Sequence, residues 1–168
     1  MFDELSKVDI QKIKDEIEEK SKILRPKILE DLKTALGFGD LSENYEYKAA
    51  KQELRRCDSR LRYLNRMLST AKIIPDRQAV ADEVELFDTV ELYYEEDDET
   101  EEIRLMTTLR QDALSGIISK ESPLGKAILG HKVGARVTVH VSDNVEYVVV
   151  IRAVKKGTDD DSLPIAKF

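Results

Sequence analysis

From Tyr47 to Ala71, apolar and small residues fall at Tyr47, Ala50, Leu54, Cys57, Leu61, Leu64, Leu68 and Ala71, in alternating steps of three and four. That spacing is the seam of a coiled-coil helix. Upstream, Ile10, Ile13, Ile17, Ser21, Leu24, Ile28, Leu32 and Ala35 repeat at nearly the same period, with one polar member. Pairing the seams antiparallel sets Ile10 near Ala71, Ile17 near Leu64, Leu24 near Cys57 and Ile28 near Leu54, which puts the apex at residues 40–41. With arms of about thirty residues the hairpin should extend roughly 40 Å at the usual helical rise. Pro26 removes a backbone donor from the first arm, and because the apolar period runs through it the sequence predicts a kink there and not a helix end.

The period changes after Ile74-Pro75. Alternating or apolar runs bounded by turn formers predict short strands at 89–94, 103–107, 116–119, 135–141 and 147–154. Between the third and fourth, Ser122-Pro123-Leu124-Gly125-Lys126-Ala127-Ile128-Leu129-Gly130 has the marks of a short helix: Ser122 as N-cap, Pro123 in the first turn, Gly130 at the end. The acidic run Glu95 to Glu102 reads as a solvated loop capping a strand hairpin. The expected fold class is α+β. Residues 1–75 form an antiparallel coiled-coil hairpin, 76–155 a small, mostly antiparallel β domain with one short helix, and 156–168 a poorly ordered tail.

Composition narrows the class. At 168 residues with 41% hydrophobic and 36% charged content, the chain suits one or two small soluble domains with solvent-rich parts. No apolar run approaches membrane-spanning length, and the charged start Met1-Phe2-Asp3-Glu4 is unlike a signal peptide, so no membrane partner is expected. A lone cysteine excludes an internal disulfide and fits the reducing cytoplasm, and its place in the seam makes Cys57 a small buried hydrophobe before it is a reactive thiol. Two histidines, one cysteine and no Gly-rich phosphate loop leave zinc sites, nucleophilic triads and nucleotide-binding folds without their parts.

The net charge of −7 is unevenly spread: residues 1–44 carry −3, residues 45–74 carry +5 and residues 75–168 carry −9. One helix of an acidic protein is therefore basic. Its Lys48, Lys51, Arg55, Arg56, Arg60, Arg62 and Arg66 suit phosphates, an acidic protein channel, or simply the solvated face of a coiled coil.

At the apex stands Gly39-Asp40-Leu41-Ser42-Glu43-Asn44. Asp40 and Glu43 have the spacing of a capping box, with Ser42 as an alternative cap for the second helix. Carboxylates at a helix start are also held ionised by the helix dipole and so stay ready as metal ligands. Two carboxylates cannot cage Mg²⁺ alone, but they can complete an octahedral shell whose other ligands come from a second protein and a phosphate. On these residues alone both readings stay open.

The stretch from Arg25-Pro26 through Gly39-Asp40-Leu41-Ser42-Glu43-Asn44-Tyr45-Glu46-Tyr47-Lys48-Ala49-Ala50-Lys51, with the helix to Ala71, resembles the signature of the bacterial Gre transcript cleavage factors. Ser122 through Gly134 resembles the same family's C-terminal signature, in the right order and spacing. The resemblance implies a coiled coil followed by an FKBP-like β domain. The β domain would dock on RNA polymerase while the coiled coil enters the secondary channel. There the tip acids would promote the polymerase's own hydrolysis of the RNA 3′ end in a backtracked elongation complex. By position, Asp40 and Glu43 match the acids that share a Mg²⁺ ion with the polymerase, supported by Ser42, Asn44 and Glu46. Lys48, Lys51, Arg55 and Arg56 match residues near the nascent RNA or channel wall, and Ser122, Pro123 and Leu124 match the polymerase-docking element. The implied factor is monomeric, binds no cofactor stably and hydrolyses nothing by itself.

Tyr45, Leu36-Gly37-Phe38 and Ala135 depart from the family's usual pattern, marking a divergent branch or an additional paralogue. A regulator that occupies the channel without promoting cleavage is the alternative, and the presence of both Asp40 and Glu43 argues against it. A general coiled-coil adaptor or a prolyl isomerase is weaker, since fold alone confers no activity.

Overall fold

A computed structural model describes residues 4–39 and 44–167. The chain divides into two compact units, one containing residues 10–72 and the other residues 4–9 and 73–167. The fold is α+β: a helical hairpin, then a curled mixed sheet with one short helix.

The first arm consists of α1 (Lys7–Glu19), a π-helical turn (Lys20–Leu24) and α2 (Arg25–Leu36); the second is the single helix α3 (Tyr45–Thr70). As the apolar period predicts, the first arm runs through Pro26. The device is the π turn just before it: Arg25 N donates to Lys20 O, one residue further back than in an α-helix. This wider turn makes room for a ring that would otherwise crowd the preceding turn and that has no N–H to donate. Ile13, Ile28, Ala35, Ala50, Cys57 and Leu64 are buried, all of them seam positions. Met67 joins them although it lies one residue off the expected seam position Leu68, which is half-buried. Ion pairs tie the arms together, Arg25 Nε to Asp58 Oδ1 at 2.8 Å and Arg60 to Glu16 through two bonds of 2.8 and 3.1 Å.

The second unit also holds β1 (Glu4–Leu5); the short strand β2 is Lys72–Ile73. The five-stranded sheet contains β3 (Thr89–Tyr94), β4 (Glu99–Met106), β5 (Ile117–Ser119), β6 (Arg136–Ser142) and β7 (Val145–Lys155) in the order β5-β4-β3-β7-β6. Three pairings are antiparallel, and β4 with β5 is parallel, which makes the sheet mixed. The helix α4 (Pro123–Ile128) lays Leu124 and Ile128 onto Val90, Leu92, Ile103, Leu105, Val139, Val149 and Ile151. These strand residues alternate with outward-facing ones, which is why the alternation was readable.

Two expectations change. The second strand begins at Glu99, not Ile103, and the acidic loop shrinks to the turn 95–98. Backbone pairing with β3 carries Glu99, Glu101 and Glu102 into the ladder with exposed side chains; β5 covers only Arg104–Met106, so these charges line the uncovered edge, where they discourage pairing with another chain. Where a poorly ordered tail was expected after Lys155, the chain is hydrogen-bonded to the sheet unit. Gly157 N donates to Asp88 Oδ1 at 3.0 Å, Arg110 Nη1 to Asp160 O at 3.0 Å, and Ala166 N to Leu109 O at 2.7 Å. The cause is long-range: the cations that hold this segment lie some fifty residues upstream, beyond the reach of local composition.

Candidate functional site

Asp40, Leu41, Ser42 and Glu43 lie outside the described residues; the residues that bracket them do not. Asn44 is the N-cap of α3, its Oδ1 accepting from Tyr47 N at 3.0 Å. The same side chain donates from Nδ2 to Ala35 O, 2.7 Å away near the end of α2. One amide therefore closes the second helix and ties it to the last turn of the first, adding a second donor to a carbonyl that already accepts from Phe38 N at 3.1 Å. On the other side of the tetrapeptide, Gly39 has φ +99, a conformation that favours glycine, with open space where a Cβ would stand. The aromatics nearest the apex, Phe38 and Tyr45, are 67% and 81% exposed.

Behind the apex the basic helix sorts into two groups. Arg60 is half-buried and committed to Glu16. Lys48, Lys51, Arg55, Arg56, Arg62 and Arg66 are exposed, and Arg55 and Arg56 form no ion pair among the described residues. Lys48 Nζ lies 5.7 Å from the centre of the Tyr45 ring, and Lys51 Nζ lies 5.6 Å from that of Tyr47. Glu46 is exposed in the first turn of α3, where the dipole favours it. Cys57 is buried, and that burial raises its thiol pKa, which suits a packing role.

In the sheet unit, the second signature turns out to be largely architectural. Ser122 Oγ accepts from Gly125 N at 3.0 Å and donates to Ser119 O at 2.7 Å. A Cβ on Gly125 would lie 2.1 Å from Ser119 O, so glycine is what allows α4 to sit so close to the chain before it. Leu124 is core. Of the three residues matched to docking, Pro123 is the exposed one.

Sequence reasoning missed Arg110, whose side chain is fully buried. Its Nε lies 2.7 Å from Asp9 Oδ1, its Nη2 donates to Ser6 Oγ at 3.1 Å and also pairs with Asp159, and Phe87 covers its plane at 5.6 Å. Ser6 and Asp9 exchange side-chain-to-backbone bonds of 3.1 Å each, a capping box at the start of α1 that was visible as Ser6-Lys7-Val8-Asp9. Arg110 itself gave no local signal. A cleft of about 570 Å³ in this unit runs past Lys7, Lys120, Lys156, Phe87 and Leu129. Each of its three lysines faces a carboxylate: Asp76 for Lys7, Glu4 for Lys120, and Asp88 and Glu85 for Lys156. Burial alone would lower the Lys156 pKa, but its bonds to Asp88 and Glu85 carry it above the usual lysine value. The cleft's lysines are thus already neutralised from within.

Among the described residues no group of three or more His, Cys, Asp or Glu side chains is placed to hold a metal ion. No described helix is long and apolar enough to cross a membrane.

Comparison with known proteins agrees with both signatures. Residues 4–73 match the family model for the N-terminal part of transcription elongation factors of the GreA/GreB type, and residues 78–156 match the model for the GreA/GreB C-terminal part. The chain belongs to the GreA/GreB family of transcription elongation factors. It is 38% identical over 141 residues to transcription elongation factor GreA of Chloroherpeton thalassium, covering 84% of this chain and 89% of that one. The GreA of Geobacillus kaustophilus is 37% identical over 151 residues, covering 90% and 95%. Among solved structures, the GreA factor homolog 1 protein of Thermus thermophilus aligns over 93% of this chain and 100% of its own at 23% identity, with a TM-score of 0.44. In this Gre-family chain the apex motif thus lies inside the matched N-terminal region and α4 inside the matched C-terminal region.

Proposed function

We propose that this factor binds bacterial RNA polymerase in the cytoplasm, places its hairpin in the secondary channel and stimulates the polymerase's own cleavage of backtracked RNA 3′ ends. The observation that carries the reading is the pair Asp40 and Glu43, between two arms whose flanking ends are tied together by Asn44, in a chain of the GreA/GreB family. The donor set is two hard carboxylates, which suit Mg²⁺ and fill only part of its octahedral shell. Such an ion, shared with the polymerase, would favour formation of the attacking hydroxide and stabilise charge on the phosphoryl oxygens. The chain's own share is to present the acids and to supply, through Lys48, Lys51, Arg55 and Arg56, a positive surface beside the RNA. Pro123 and the exposed face of α4 are the proposed contact to the polymerase.

Stalled, backtracked complexes with labelled RNA test this directly. The wild-type factor with Mg²⁺ releases short 3′ fragments, whereas the Asp40→Asn/Glu43→Gln double variant still binds the polymerase and releases none. Binding by the wild type without cleavage would instead establish a secondary-channel regulator.

A further inference from the structure

Tyr45 is the first residue of α3 and 81% exposed, so its ring gains almost nothing from burial. Capping does not explain it either, because Asn44 supplies the cap. An aromatic is a poorer helix former than alanine, so the position also costs local propensity. Lys48 Nζ stands over the ring at 5.7 Å from its centre, and the ring's exposure leaves area for a second partner. From Tyr45 the residues Lys48, Lys51, Arg55, Arg62 and Arg66 follow at helical steps on one exposed stripe. An aromatic heading a line of cations is the composition of a surface for an unpaired nucleic-acid strand: the cations track phosphates and the ring takes a base.

Resting on the polymerase reading above, we propose that Tyr45 stacks on one unpaired base of the extruded RNA, with Lys48 drawing the adjoining phosphate. This side chain then sets how tightly the factor engages a backtracked transcript and which terminal base it prefers. Stacking on a single base is worth roughly five- to 150-fold in affinity. Purines, with the larger π-face, benefit more than pyrimidines.

The test uses the full chain and backtracked complexes whose extruded nucleotide is a purine or a pyrimidine. For Tyr45→Ala and Tyr45→Leu the factor concentration giving half-maximal cleavage should rise about tenfold on purine ends and less on pyrimidine ends. Tyr45→Phe should match the wild type. In parallel, 2-aminopurine at the extruded position should be quenched by the wild type and by Tyr45→Phe, but not by Tyr45→Ala or Tyr45→Leu. Wild-type behaviour of Tyr45→Leu in both assays would overturn stacking in favour of apolar packing on the channel wall. Equal quenching by Tyr45→Ala and the wild type would overturn it altogether. The fluorescence readout does not need cleavage, so quenching lost in Tyr45→Ala supports stacking even if the wild type cleaves nothing, and cleavage without quenching rejects stacking alone.

Discussion

Asn44 uses one side chain for two tasks, and both can be removed with one substitution. Asn44→Ala loses the N-cap of α3 and the bond to Ala35 O, which should lower the stability of the folded chain by about 1–2 kcal/mol. Urea unfolding followed by circular dichroism checks this; an unchanged midpoint would mean that water replaces both bonds without loss. The sequence places Asn44 beside the apex as a supporting neighbour, but the carbonyl it ties to belongs to the other arm and no local pattern announces it. Asp160 combines a local turn with a distant cation. Hydrogen bonds from the Ser162 hydroxyl and amide, then Arg104, hold its pKa down at about 2. Because this lies below the value of an unfolded aspartate, the ionised group stabilises the fold above about pH 4, and that contribution is lost as the pH falls from about 4 to about 2. Urea midpoints should therefore fall more steeply across this window for the wild type than for Asp160→Asn; parallel curves would refute the assignment.

At the scale of elements, legibility followed periodicity. The seam residues Ile13, Ile28, Ala50, Cys57 and Leu64 and the strand residues Val90, Leu92, Val139, Val149 and Ile151 are buried where period 3.5 or period 2 puts them. What resisted were features made by contact. The π turn before Pro26 answers a steric problem that composition alone poses without solving. The start of β4 at Glu99 follows from pairing with β3, which does not consult side-chain polarity. Arg110 is the strongest case: it joins the 3₁₀ turn Thr108–Arg110 to the capping box at Ser6 and Asp9 and to the segment at 159–160. Arg110→Ala leaves Asp9 buried without its cation and should cost about 3–5 kcal/mol. Differential scanning calorimetry would show a markedly lowered transition for this variant, and a wild-type profile would mean that the cluster is not the brace described.

At the scale of the whole molecule, the division of labour follows from where charge and burial lie. The sheet unit spends its conspicuous signature on folding, through Ser122, Leu124 and Gly125, and the lysines of its cleft face internal carboxylates. The hairpin unit leaves Lys48, Lys51, Arg55, Arg56, Arg62 and Arg66 exposed, and the sequence sets Asp40 and Glu43 between its two arms. That distribution fits a factor whose chemistry is completed by its partner. The central claim is that Asp40 and Glu43 contribute ligands to a Mg²⁺ ion shared with the polymerase. The most direct measurement is a Mg²⁺ titration of transcript cleavage in backtracked complexes, at factor concentrations that saturate polymerase binding. Asp40→Asn and Glu43→Gln singly should each raise the Mg²⁺ concentration for half-maximal cleavage, by about tenfold, with polymerase affinity unchanged. Titration curves that superimpose on the wild type would contradict the claim.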